Sequence, residues 1–529
     1  MTPLDRARRS AFAKHAAVRS QLEAHQQRVV DRIQQDDQPG LVVAHGVGTG
    51  KTLGSIAAAD ALGLPAQAIV PAALQENYRK EIAKHLTPGS SGPEVHSLAT
   101  VGRRGGADSL MAADPSHQGG TLIVDEAHRL RNPNSVGYDE MRHLGSRAAK
   151  RLYLSASPVY NHPVDIAPLV NLAANDRILP DTKAGFENEY LHTRKIDPGL
   201  FAGLAGVQAG EVDELDPRKS QELSEKLRKW VDFHQNPTDS ADFPRRVDTT
   251  VDVPVSDAQR KVYDTLMGDA PFWVRYKVRR GLPPSKQEAA DLNAFSSGAR
   301  QSLLSPHVFS QDMGAADNAT KQRMAVARLE AAIAANKRHK AVVYAPYIEA
   351  GLDPYAKLLD EKHIPYGRFT GTEPKAVRDQ AVRDYNDNKL RALLVSDAGS
   401  EGLDLKGTRA IQILAPAWNQ ERLNQIIGRG IRYKSHAHLP EAERQVDVEN
   451  YRSVLPPTFF QRVLRMKPDA SVDQYMDQVT ANKEHLNEQL RAVMARGGMG
   501  TEEDAARGAA LDREEQQRAR LEDWAKRSR

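Results

Sequence analysis

The feature that most constrains this 529-residue chain is a short glycine-rich turn, Gly46-Val47-Gly48-Thr49-Gly50-Lys51-Thr52. Ahead of it LVVAH (41–45) reads as a strand, and behind it KTLGSIAAADAL (51–62) reads as a helix. Glycines let successive backbone N–H groups curl around phosphate oxygens, and a helix N-terminus adds partial positive charge. In such a turn Lys51 reaches β- and γ-phosphates and the Thr52 hydroxyl ligates Mg²⁺, with Gly48, Thr49 and Gly50 forming the cradle. The strict pattern begins with glycine at position 45, where this chain has His45. The plain alternative is a surface turn followed by a chance Lys-Thr.

Further strand–helix alternation extends the α/β pattern. QAIV (67–70) precedes a helical run, TLIVDEAH (121–128) is apolar and then abruptly acidic, and KRLYLSAS (150–157) is a fourth strand. A second α/β run begins at KAVVYAP (340–346) and continues through RALLVSD (391–397) and RAIQILAP (409–416). Between the runs the chain reads as helical and charged. The expected division is an N-terminal extension (1–20), a first parallel-sheet lobe (21–174), a mainly helical insertion (175–335), a second lobe (336–455) and a helical C-terminal extension (456–529). The tail from Gly497, rich in Glu and Arg, reads as a solvated or partly disordered helix.

Two clusters complete a phosphate-handling site. Ligands of open parallel sheets bind at the carboxyl ends of strands. Asp125 there can hold Mg²⁺ and Glu126 can orient and deprotonate an attacking water. Acids at a helix start are the structural alternative. Arg429 and Arg432, three apart in QIIGRGIR (425–432), are expected on one helix face, as arginine fingers or as a solvated basic face.

Bulk properties exclude less. A chain 40% hydrophobic and 27% charged, with net charge +4, is read as a globular protein of several domains. Any polyanion must be held by a local groove. No apolar run of membrane-spanning length and no secretory signal are visible, and the absence of cysteine fits a cytoplasmic setting.

In order along the chain these clusters resemble the motifs of superfamily 2 helicases, and most closely the Snf2-like, DEAH-box branch. Leu22 to Gln26 looks like the segment whose glutamine reads adenine. His45 to Thr52 looks like motif I, Val70 to Tyr78 like motif Ia, Asp125 to His128 like motif II, and Leu154 to Asn161 like the Snf2 form of motif III. Ser400 to Leu405 looks like motif V, and Pro416 to Asn419 with Gln425 to Arg432 like motif VI. The resemblance implies two RecA-like lobes that close around ATP and Mg²⁺. Gln26 and Gln425 join the nucleotide site, and Pro71, Asn77, Ser155, Ser157, Gly402, Asp404 and Trp418 contact nucleic acid or couple it to the ATP state. After Arg432 the chain continues Tyr-Lys-Ser-His, closer to ATPases of large DNA viruses and phages than to chromatin remodellers.

The implied function is an ATP-dependent translocase on DNA, with the Snf2 form of motif III leaning toward duplex. The alternatives are a viral or phage transcription-associated nucleoside triphosphatase acting on an RNA polymerase complex, and a non-hydrolysing interaction protein that keeps the fold. For a viral chain the setting is the host cytoplasm or the virion. FWVRYKVRR (272–280) interleaves aromatic and basic residues, but is read first as an amphipathic helix with its aromatics in the core. His436 and His438, without acidic or thiolate neighbours at ligand spacing, are read as solvated rather than metal-binding.

Overall fold

A computed structural model describes residues 18–114, 118–235, 243–309, 318–397, 405–416, 420–432 and 435–497. The α/β reading is correct: two six-stranded sheets organise the chain, and every pairing within them is parallel. The first comprises β1 (Gly40–His45), β2 (Ala66–Val70), β3 (Glu94–Ser97), β4 (Thr121–Val124), β5 (Lys150–Ser155) and β8 (Val231–His234), in the order β3-β2-β4-β5-β1-β8. A two-stranded ribbon, β6 (Leu191–Ile196) with β7 (Gly210–Leu215), precedes β8 in the chain. The second sheet comprises β9 (Arg245–Pro254), β10 (Ala341–Tyr344), β11 (Tyr366–Phe369), β12 (Ala392–Val395), β13 (Ala410–Ile413) and β14 (Gln445–Val454), in the order β11-β12-β10-β13-β14-β9.

The central strands of both sheets are buried on two faces, which is why they are mainly apolar. Successive side chains alternate between cores with the period of two that a strand imposes. In β1, Val42 and Ala44 enter one core with Leu122, Val124 and Tyr153, while Leu41 and Val43 enter the other with Ile123, Leu152 and Leu154. In β10 and β12, Ala341, Val343, Ala392 and Leu394 face one way and Val342, Tyr344, Leu393 and Val395 the other.

The chain packs as two units. The first takes in the described parts of 18–192, 214–235 and 485–497; the second takes in those of 193–213 and 243–484. The stretch 175–335 is therefore divided between them and is not one helical insertion. Val231 and Phe233 are buried beside β1, whereas β9 pairs with β14 over ten residues, from Arg245↔Gln445 to Pro254↔Val454. The C-terminal extension divides too: Leu490, Val493, Met494 and Ala495, late in the helix Val472–Gly497, are buried in the first unit's core. The tail beyond Gly497 lies outside the described residues.

The helix Phe272–Arg280 is amphipathic, but its aromatics are not the core face: Phe272 is exposed and Trp273 and Tyr276 are only partly buried. Val274, Val278 and Lys277 are buried, the Lys277 ammonium is paired with the Glu288 carboxylate, and Arg279 and Arg280 are exposed. No helix among the described residues is long and apolar enough to cross a membrane.

Candidate functional site

Because the first sheet is wholly parallel, the loops after β1, β4 and β5 leave from the same edge, and β5 lies between the other two. The phosphate-loop residues follow β1. Gly48 (φ 80°) and Gly50 (φ 73°) adopt the left-handed backbone that side chains disfavour. A Cβ on Gly50 would also lie 2.4 Å from Nε2 of Gln26. The helix Lys51–Leu62 begins at once, so its N-terminus lies at the loop. Lys51 Nζ donates to the carbonyls of His45 and Gly46, each at 2.9 Å. These residues fit a triphosphate: left-handed glycines, a helix N-terminus and an ammonium that neutral carbonyls hold less strongly than phosphate would.

The buried Gln26 carboxamide is engaged with this loop. Its Nε2 donates to the Thr49 carbonyl at 2.9 Å, and its Oε1 accepts the Glu23 N–H at 3.0 Å. His25 Nε2 donates to the same Thr49 carbonyl at 2.8 Å.

At the end of β4, Asp125 is buried and Glu126 stands at φ 51°, ψ 45°, a left-handed conformation worth about 1–3 kcal/mol of strain in a residue with a long side chain. Burial, and then the charge of Glu126, push the Asp125 carboxyl up to about 6 against the opposing charge of Lys51. A divalent cation would relieve the cost of holding two acids side by side. His128 joins this strand end to the next: its Nδ1 lies 3.3 Å from Glu126 Oε2 and 3.4 Å from Ser155 Oγ. Its ring stacks on Tyr160 at 5.4 Å, and Arg131 lies over the other ring at 4.7 Å from its centroid. Ser155 and Ser157 are buried, the Ser157 N–H donating to Ser155 Oγ at 3.0 Å.

The sequence reading missed a polar cluster behind the phosphate loop. Asp232, on β8, has no exposed side-chain surface and accepts from Arg28 Nη2 at 2.8 Å, Arg32 Nη1 at 3.1 Å and His45 Nε2 at 2.7 Å. His45, standing where the strict pattern has glycine, thus ties the loop's first residue to β8, and the Gly46 N–H reinforces it by donating to the His234 carbonyl at 2.8 Å. The His25 and His234 rings stack at 4.0 Å, with His45 edge-on to both. Burial pushes His45 down to about 4 despite Asp232, and burial with His25 pushes His234 down to about 3. Burial alone would raise Asp232, but the hydrogen bonds from His45 and Arg28 hold it well below the usual carboxylate range. The signal available was weak: VDFH is four residues long and carries a charge.

Pro71 is buried at the end of β2, and Asn77 is exposed on the helix Gln75–His85. In the second unit, Gln425 and Arg429 are half-buried on the helix Gln420–Gly430. Arg432 falls two residues beyond the end of that helix, so the arginines do not share a helix face as expected. The Arg432 N–H donates to Ser435 Oγ at 3.2 Å. His436 is buried, contrary to the solvated reading; its Nε2 donates to the Thr408 carbonyl at 2.6 Å, and burial pushes it down to about 4. The Ser-His of the unusual ending therefore fastens the segment after Arg432 to the loop before β13. Gly402, Asp404 and Trp418 lie outside the described residues.

Residues 108–316 match the SNF2-related domain, and residues 324–434 match the helicase conserved C-terminal domain. A protein of Acanthamoeba polyphaga mimivirus named for ATP-dependent RNA helicase activity, L538, is 25% identical over 489 residues, covering 88% of this chain and 94% of its own. The termination factor NPH-I homolog of African swine fever virus is 24% identical over 561 residues, covering 88% of this chain and 77% of the viral protein. The RAD54-like DNA repair and recombination protein of Drosophila mojavensis is 24% identical over 339 residues, 59% of this chain and 41% of that protein. Among solved structures, the Sulfolobus solfataricus SWI2/SNF2 ATPase core in complex with dsDNA aligns with a TM-score of 0.34 and 14% identity, over 90% of this chain and 98% of that one. Domains of these two kinds in one chain define a nucleic-acid-dependent ATPase. An SNF2-related domain followed by a helicase conserved C-terminal domain is the domain pair of the SNF2-like helicases.

Proposed function

We propose that this ATPase is a translocase that couples ATP hydrolysis to movement along DNA, with duplex as its track. The observation that carries the catalytic part is the joining of the β4 and β5 strand ends through His128, beside a phosphate loop braced by Gln26 and Lys51. ATP with Mg²⁺ supplies the phosphoryl group and the charge that organises it. Gly48 to Thr52 hold the phosphates through backbone N–H groups and the Lys51 ammonium. Thr52 and Asp125 are the Mg²⁺ ligands. Glu126 holds the attacking water and takes its proton. Gln26 and Gln425 belong to the nucleotide site, and Arg429 and Arg432 supply guanidinium charge for the transition state. Ser155 and Ser157, linked to Glu126 through His128, couple the nucleotide state to nucleic acid, as do Pro71, Asn77, Gly402, Asp404 and Trp418.

Phosphate release is measured with duplex DNA, single-stranded DNA and RNA, beside a strand-displacement assay. Stimulation by duplex without displacement is expected; stimulation by RNA alone refutes the track. Lys51→Ala and Glu126→Gln are each expected to lower stimulated turnover by about a hundredfold or more. Arg432→Ala should leave ATP binding nearly intact and slow hydrolysis about a thousandfold. The viral termination-factor relative favours a second reading, a motor acting on an RNA polymerase complex. Co-purification with polymerase subunits would select it.

A further inference from the structure

Among the described residues, the exposed large apolar side chains fall into two groups: those 52% exposed or less, and seven between 61% and 86%. All seven lie on or directly after two short helices of the second unit. Leu200, Phe201 and Leu204 are on Leu200–Leu204; Phe459, Phe460 and Val463 are on Phe459–Val463, with Leu464 following. Isolated exposed apolar residues need no explanation, whereas clusters mark interaction surfaces.

Segments adjoining both helices are hydrogen-bonded to the helix Phe272–Arg280. Tyr276 donates its hydroxyl to the Pro198 carbonyl at 2.8 Å, and three residues on, the Arg279 carbonyl accepts the Ala470 N–H at 3.3 Å. The second patch is also preorganised internally. Thr458 and Gln461 form a capping box, Gln461 Nε2 donates to Asp469 at 3.0 Å, and Arg465 ends the helix at φ 52°. These bonds hold apolar side chains outward, so a partner is met without the entropy cost of ordering a loop.

Charge indicates the partner. From Phe459 to Lys467 the chain carries Arg462, Arg465 and Lys467, all exposed, and no acid. A second copy meeting the same face would set like charges together. A lipid surface calls for a longer helix with a continuous apolar face than these five-residue helices provide. Nucleic acid is held chiefly by cations at phosphates, yet here apolar side chains are the most exposed. We propose that this surface docks a protein segment in which acidic residues accompany apolar ones, its apolar side chains seated on the phenylalanines and its carboxylates on Arg462, Arg465 and Lys467.

The probe is a fluorescent peptide of about 16 residues with Leu and Phe at helical spacing and Asp and Glu elsewhere, titrated with the full chain by anisotropy. Phe459→Ser with Phe460→Ser, and separately Arg462→Glu with Arg465→Glu, should each weaken binding about tenfold or more, as should exchanging the peptide's acids for lysine. Basal ATP hydrolysis and the melting profile should stay unchanged, because every altered side chain is exposed. Absent peptide binding, or binding by either variant as tight as that of the unaltered chain, overturns the proposal. So does a defect of the variants confined to anionic vesicles, to duplex DNA or to self-association.

Discussion

At Asp125 the residue scale already sets a pH dependence. A carboxyl pushed up to about 6 by burial and by Glu126 must lose its proton before it can hold a cation. The KM for Mg·ATP is therefore expected to rise as pH falls below about 6 and to be flat above pH 7. Steady-state titration checks this, and Asp125→Asn should abolish the inflection along with activity. Asp232 makes a different kind of prediction. It is a carboxylate held low, so its contribution is present above the unfolded value and lost only in strong acid. His45 and His234 work in the opposite window: kept neutral in the fold, they charge more readily in the unfolded chain, so stability falls as pH drops from about 6.5 toward 4. The His45 shift amounts to on the order of 3 kcal/mol. Asp232→Asn leaves Arg28 and Arg32 without their buried counter-charge and should cost about 3–5 kcal/mol. Faster hydrogen exchange of β1 and β8 amides, with β10 to β13 unaffected, is the expected readout.

Element by element, legibility in the sequence follows burial. The runs 41–45, 67–70, 121–124, 150–155, 341–344, 392–395 and 410–413 are visible because each is largely covered on both faces and so is mainly apolar. β9 and β14 were hidden because RRVDTTVDVP and QVDVENYRSV mix charge into their alternation, and β9 is an edge strand with most of its side chains in water. β3 and β11 are likewise short and at sheet edges. The contrast is testable within one sheet. Leu393→Ala, in the buried strand β12, should cost about 2–5 kcal/mol, whereas Thr250→Ala on exposed β9 should stay within about 0.5 kcal/mol. Denaturant unfolding followed by exchange of second-sheet amides separates them.

On the scale of the whole molecule, the first unit is assembled from distant pieces of chain. Leu490, Val493, Met494 and Ala495 complete its core, and the Ser224 hydroxyl donates to the Val493 carbonyl at 3.2 Å. These residues lie beyond both matched domains, which end at 316 and 434. A chain ending at residue 484 is thus expected to lose several kcal/mol from the first unit and, with it, nucleotide binding. Normal nucleotide affinity in that truncation would refute the role. The sequence by itself determined the nucleotide-binding chemistry, because a phosphate cradle needs its glycines, lysine and acids at short, fixed spacings along single strand–turn–helix units. It determined the parallel α/β class as well, because strands covered on both faces are mainly apolar and alternate here with helical segments. Only the tertiary structure decided that Asp232 lies behind the phosphate loop, that His45 is held by it, and that β8 and residues 490–495 belong to the first unit. Those partners are some 190 to 450 residues away in the chain, and no local pattern records which distant side chain neutralises a buried charge or closes a core.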